Sequence, residues 1–134
     1  MNFMKKIEGE AYALLRIVIG FLFLLHGAQK ILGVLRVGGF PPDLVIAPFS
    51  QTWFGGMIEL IGGTMVMLGF QTRAAAFLCS GTMAVAYAQF HWKGQLDVNF
   101  LPIANGGEAA VIYCFVFFLI AAQGPGKWAL DKKG

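Results

Sequence analysis

The sequence predicts an all-α, polytopic membrane protein: a bundle of four transmembrane helices with two long loops at one end. Three observations carry this. Hydrophobic residues make up 57% of the chain and charged residues 13%, whereas soluble domains are about a quarter charged. Four apolar segments stand out, at about 11–32, 53–70, 74–91 and 108–123, and a bilayer core of about 30 Å takes roughly 17–25 helical residues. Finally, a carboxylate, Glu59, sits near the middle of the second segment among glycines. Four such segments in 134 residues leave no room for a soluble unit, so the chain is expected to be one domain, 1–134.

The first segment follows Lys5 and Lys6, which imitate the basic start of a signal peptide. It is not expected to be cleaved. Glu8, Glu10 and Arg16 interrupt it, the apolar run is too long, and no small-residue cleavage site follows. His26 and Lys30 lie one turn apart on one face in its later half, with Arg16 nearer its start. The connection to the second segment contains Gly38-Gly39-Phe40-Pro41-Pro42 and Pro48, which break a helix. Leu44, Val45, Ile46 and Phe49 predict that it lies at the interface or folds over the bundle.

In the second segment, Gly55, Gly56, Gly62 and Gly63 are three or four residues from Glu59 and share its helical face. A charge within a membrane is costly, and by default marks function. The glycines form a groove into which another helix can press. Gly20, Gly27, Gly55, Gly62 and Gly69 are read as packing residues. Gln71-Thr72-Arg73 makes a tight turn into the third segment, whose far end carries the one-turn pair Tyr87 and His91. The next connection holds Trp92, Phe100, Leu101 and Pro102, too apolar for a freely solvated loop; long loops of this kind are often lids or binding loops. Asn105 and Glu108 open the fourth segment. Phe115, Phe117 and Phe118 are read as lipid-facing or core, and Trp53, Trp92 and Trp128 as interfacial anchors. Cys79 and Cys114 differ in depth by roughly 10 Å at 1.5 Å per residue, beyond disulfide reach, so both are expected as free thiols.

With four crossings, the two ends and the short turn share one side. That side carries Lys5, Lys6, Arg73, Lys127, Lys132 and Lys133; the other carries Lys30, Arg36 and Lys93. The positive-inside rule then puts both the N- and C-termini in the cytoplasm. No aromatic-interleaved basic patch is present, so nucleic acid is not an expected partner.

The polar residues and the two long loops concentrate at the same end, which predicts a site there. Its expected ligand-binding or proton-handling residues are His26, Lys30, Glu59, Asn105 and Glu108, with Arg16, Tyr87, Trp92 and Tyr113 as further candidates. Such ionisable groups relay protons or hold charge when buried. The competing reading of Glu59 is a structural ion pair that locks the bundle; His26, Lys30 and Arg16 are its candidate cations. No metal is expected, because His26 has Lys30 beside it and no other well-placed nitrogen ligand. Trp92 and Tyr113 are candidate walls for a quinone, which needs aromatic surfaces and a few polar groups at its oxygens.

Taken in order, these motifs resemble the DoxX family of small four-helix bacterial membrane proteins. The resemblance runs from Arg16, Gly20, Phe23, His26-Gly27 and Lys30 to Glu59, Gly62-Gly63 and Gly69. It continues through Arg73-Ala74-Ala75, Asn105 and Gly107-Glu108-Ala109 to Gly124-Pro125-Gly126 and Leu130-Asp131. The family usually has a serine before that leucine; here it is Ala129. The resemblance implies an inner-membrane protein linked to redox homeostasis, since the family takes its name from a subunit of a thiosulfate:quinone oxidoreductase. No flavin or nucleotide fingerprint occurs, so no covalently bound cofactor is expected and a quinone is the candidate ligand. The expectation is therefore a membrane subunit of a quinone-linked redox system. It would touch membrane lipid, a soluble or membrane redox partner subunit and a second copy of itself. The alternative is a non-enzymatic protein that binds or passes lipids or small molecules, or assists assembly of a membrane complex.

Overall fold

The structure is a computed structural model that describes residues 1–37 and 40–132. Gly38 and Gly39 of the first long connection, and Lys133 of the basic side, lie outside the described residues. Regular structure among the described residues is entirely helical. A short helix α1 (Asn2–Lys6) leads into α2 (Glu8–Ile31), followed by α3 (Gln51–Leu68) and α4 (Thr72–Ala86). α4 runs on into a π-helical turn, Tyr87–Trp92, with Tyr87 still at helical dihedrals. A 3₁₀ turn, Val98–Phe100, and the one-turn α5 (Pro102–Asn105) precede α6 (Glu108–Gln123).

Local chemistry fixes the helix ends. α2 has Glu8 and Glu10 in its first turn and Lys30 in its last, matching the helix dipole. The Ser50 hydroxyl caps α3 by accepting from the Trp53 N–H at 3.2 Å. α3 ends at Gly69 in the left-handed conformation, φ 69°. The Gly69 N–H donates to the Val66 carbonyl and the Phe70 N–H to the Met65 carbonyl, the pairing of a Schellman motif.

The four long helices alternate in direction. One end carries the long connections (the loop end). The other carries α1, the Phe70-Gln71 turn and the C-terminal segment (the turn end). α2 packs most extensively on α3, and α4 on α6, with α3 joining the two pairs through α4. The α2–α3 seam is built on glycines seven residues apart on both helices. A Cβ at Gly20 would lie 2.7 Å from the Gly63 carbonyl oxygen, and one at Gly27 would lie 2.7 Å from that of Gly56. Only glycine lets the two backbones approach this closely. α2 and α6 meet mainly through rings: Phe23 lies 5.3 Å from Tyr113 and 4.7 Å from Phe117, between centroids. Phe23, Val66, Ala76, Cys79, Phe117 and Ile120 form the centre of the core.

Two expectations change. The four glycines around Glu59 do not form one groove. Gly56 and Gly63 face α2, a Cβ at Gly62 would lie 2.7 Å from Cys79 Sγ on α4, and Gly55 has open space. Their 3.6-residue repeat spreads them around more of the helix than one seam occupies. Second, among the described residues only α2 is long and apolar enough, by length and composition alone, to cross a membrane, with mean hydropathy 1.9 over its best 18 residues. α3 has 18 residues but includes Gln51 and Glu59; α4 has 15 before its geometry changes, and the apolar α6 has 16. Cys79 and Cys114 are both free.

A strap closes the turn end. Arg16 is fully buried and donates to four carbonyls: Val66 (3.1 Å), Pro125, Lys127 (2.8 Å) and Trp128 (2.7 Å). The Tyr12 hydroxyl donates to the Gly124 carbonyl at 2.6 Å. Arg73 donates to the Ala121 and Ala122 carbonyls at the end of α6, satisfying groups that a helix leaves open. Further along, Asp131 accepts from the backbone N–H groups of Gln71 and Thr72 (both 2.8 Å) and from the Thr72 hydroxyl (2.7 Å). It thereby caps α4 and holds Gln71 at φ 48°, a conformation unfavourable for a non-glycine residue. The Thr72 N–H and hydroxyl hold the Asp131 carboxyl below the usual carboxylate range.

Candidate functional site

A cavity of about 750 Å³ opens in the loop-end half of the bundle. α2 supplies Phe23, His26 and Lys30, and α3 supplies Phe54, Gly55, Ile58 and Glu59. α4 adds Phe77, Leu78, Gly81, Thr82 and Met83; the π-helical turn adds Phe90 and His91; α6 adds Ala109, Ala110 and Tyr113. The walls are predominantly apolar, with a few convergent polar groups, as in small-molecule sites. Two glycines keep it open: Cβ atoms at Gly55 and Gly81 would meet nothing within 4 Å.

Glu59 is 3% exposed. Its Oε1 is 2.5 Å from Lys30 Nζ, while its Oε2 is buried without a hydrogen-bond partner. The Lys30 side chain is 27% exposed, so the ammonium is only partly withdrawn from its surroundings. An unsatisfied buried acceptor costs on the order of 1–3 kcal/mol, more when charged. His26 is exposed and meets the Tyr113 ring edge-on, with centroids 6.0 Å apart. Tyr113 stacks in turn on Phe117 at 6.0 Å. Of the lining residues, Phe54, Phe77, Leu78, Val85 and Phe90 are exposed, so apolar side chains reach the surface beside the cavity.

The structure brings together His26, Lys30, Glu59 and Tyr113 among the expected site residues, and adds His91. The others lie elsewhere. Arg16 is the turn-end clamp; its long side chain reaches carbonyls of the strap rather than Glu59. The Asn105 side chain donates to the Tyr87 hydroxyl (3.1 Å) and the Asn99 carbonyl (2.7 Å), and accepts from the Gly107 N–H (2.8 Å). The Tyr87 hydroxyl donates to the Phe100 carbonyl. Together they fold the second long connection over the π-helical turn. Trp92 donates to the Gln95 carbonyl and meets Phe100 edge-on at 5.3 Å, so it too organises that connection rather than the cavity. Glu108 is exposed in the first turn of α6, a favourable place for an acid beside unpaired N–H groups.

The sequence reading missed Phe54, Phe77, Gly81, Thr82 and Met83. Their types carry no signal that separates a cavity wall from a lipid-facing surface. His91 was visible as the partner of Tyr87, but the π-helical turn that carries it to the rim has no sequence mark.

A family model described as DoxX matches residues 11–92, the stretch that holds α2, α3, α4 and most of the cavity wall. The chain belongs to the DoxX family. Curated relatives extend the likeness along the rest of this DoxX chain. An uncharacterised protein of Haemophilus influenzae is 39% identical over 139 residues, covering 99% of this chain and 97% of its own length. The inner membrane protein YqjF of Escherichia coli is 29% identical, covering 96% and 95%. An uncharacterised membrane protein of Mycobacterium tuberculosis is 27% identical, covering 89% and 78%. No solved structure matches this DoxX chain. It is a membrane protein by family and by the names of these relatives.

Proposed function

We propose that this DoxX protein is the membrane subunit of a quinone-linked redox system, binding a quinone or similar small apolar ligand in the loop-end cavity. The observation that carries the reading is the ion pair Lys30–Glu59 in the wall of a predominantly apolar cavity, with one carboxylate oxygen unpartnered. The residues present suit such a ligand. The volume lies in the range of small-molecule pockets, roughly 300–1,000 Å³; Phe23, Tyr113 and Phe54 are aromatic residues of the lining, and Lys30 and Glu59 are paired within it. A quinone, when bound, supplies two-electron, two-proton chemistry. Lys30 would donate to a head-group oxygen, and Glu59 and His26 would hold or pass the accompanying protons. Electrons would arrive from a soluble or membrane partner subunit.

In this reading the chain, as one domain, crosses the bacterial inner membrane four times with both termini cytoplasmic. The antiparallel packing of α2, α3, α4 and α6, the shared position of the termini and the lysine and arginine bias support it. α3 would cross despite Glu59 because that carboxylate faces Lys30 and a cavity rather than lipid. Membrane lipid surrounds the bundle, and a second copy is a further candidate neighbour.

The rim favours a second reading. Phe54, Phe77, Leu78, Val85 and Phe90 are exposed beside the opening, where lipid chains would lie, so a non-enzymatic lipid or small-molecule binding or permeation protein also fits. Assembly of a membrane complex belongs to this second class. Gentle extraction, followed by absorbance and mass spectrometry of what co-purifies, separates the two. Bound quinone supports the first; phospholipid alone, or a stoichiometric partner protein without quinone, supports the second.

A further inference from the structure

We infer that the cavity selects ligands whose polar head donates a hydrogen bond, and so prefers the reduced, hydroxyl-bearing form of a quinone-like molecule over its oxidised form. The inference rests on the reading of this cavity as a ligand site and goes further, because it fixes which oxidation state is held. The deciding atom is Glu59 Oε2, which is buried and unpartnered on a residue that lines the cavity. In the ion pair with Lys30 the carboxylate offers only acceptor sites. A buried acceptor of this kind is satisfied only by a donor. No donor among the described residues reaches Oε2, so a donor head on the ligand would satisfy it.

Lys30 completes the selection. Its ammonium has three donors, one of which is used on Glu59 Oε1. A hydroxyl head can therefore donate to Oε2 while its oxygen accepts from Lys30, and both partners are satisfied. A quinone carbonyl can accept from Lys30 but sets its own lone pairs against Oε2, leaving that oxygen unpaired and repelled. Sites built to hydrogen-bond a hydroxyl strongly reject analogues that lack it, since the buried polar group is then stranded. The predominantly apolar walls act on the ring and tail, which differ little between the two forms.

The test uses the full-length protein in nanodiscs, kept anaerobic, with three probes: a decyl-substituted benzohydroquinone, the matching benzoquinone, and the dimethyl ether of the hydroquinone. Binding is read by quenching of tryptophan fluorescence and by calorimetry. The hydroquinone is expected to bind about tenfold or more tightly than either the quinone or the ether, the scale of one hydrogen bond to a charged group. Glu59→Gln supplies a second, sharper arm. With its carbonyl turned to Lys30, the amide points its NH₂ into the cavity, so the preference should invert toward the quinone. Equal binding of all three probes by the parent protein overturns the inference but leaves the quinone reading standing. Binding of the hydroquinone and of simple alkylphenols, with no measurable binding of the quinone, upholds the donor-head inference and removes the oxidised quinone as a ligand. Absence of binding by every probe overturns both. An unaltered preference in a folded Glu59→Gln protein also overturns the inference, because the selecting atom would then lie elsewhere.

Discussion

Two buried or half-buried charges, read from sequence as one group of candidates, have separate tasks. Arg16 binds four carbonyls at the turn end, and Lys30 binds Glu59 at the cavity. Arg16→Lys should therefore lower stability by about 3 kcal/mol or more, since a lysine cannot reproduce the planar fork and charged hydrogen bonds contribute roughly 1.5–3 kcal/mol each. Thermal melting in detergent checks this; the cavity should still take ligand at temperatures where the variant is folded. Asp131 gives a pH signature. Its carboxyl is held below its usual range in the fold by Thr72, so its contribution is present above the unfolded aspartate value of about 3.9. It is lost as pH falls through the lower folded value. Melting temperature should decline on acidification below about pH 4, and Asp131→Asn should melt lower at neutral pH with a flatter acid limb. Glu59 was legible as a candidate because a carboxylate among apolar residues is conspicuous, and it does line the cavity. That Arg16 serves the strap was not, because its partners there are backbone carbonyls more than a hundred residues away, and carbonyls have no sequence identity.

At the scale of helices, glycine has two opposite uses. Gly20, Gly27, Gly56 and Gly63 bring α2 and α3 into backbone contact, whereas Gly55 and Gly81 preserve empty space. Gly63→Ala should therefore destabilise the bundle by about 1–3 kcal/mol, the scale of overpacking a tight contact. Gly55→Ala should leave stability near the parent or raise it, alanine being the better helix former by up to about 1 kcal/mol. Paired melting curves decide; equal losses would mean that both positions are helix contacts. The helices themselves were legible: the expected 53–70 and 108–123 compare with α3 at Gln51–Leu68 and α6 at Glu108–Gln123. The third was expected as one α-helix over 74–91, but its last turn widens into π geometry at Tyr87–Trp92. Tertiary contacts of Tyr87 and His91 with the Asn105 loop accompany that change, and a local reading has no access to them. The phenylalanines show the same limit: Phe117 is buried while Phe115 and Phe118 are exposed, although all three lie within four residues.

At the scale of the whole molecule, an apolar cavity sits at one end and a hydrogen-bonded strap at the other, joined by the glycine seam. The strap gathers the start of α2, the Gln71 turn and the C-terminal segment at the end expected in the cytoplasm. A cytoplasm-active reporter fused after Lys6, inserted at Arg73 or fused at the C-terminus should be active, and one at Asp43 or Asp97 silent. Activity at Asp43 would reverse the orientation. The all-helical class was accessible to the sequence because periodicity is a local sum; the cavity was not, because it depends on how four helices pack against one another. Its function is tested most directly by filling it. Gly55→Leu combined with Gly81→Leu places a side chain from α3 and another from α4 into open space at the cavity while leaving Glu59 and Lys30 unchanged. Native mass spectrometry of the gently extracted parent should release a small apolar ligand with a polar head, and the doubly filled protein, folded and equally abundant, should release none. Retention of the same ligand by the filled protein, or release of nothing but phospholipid by both, would contradict the assignment of this cavity as a quinone-like site.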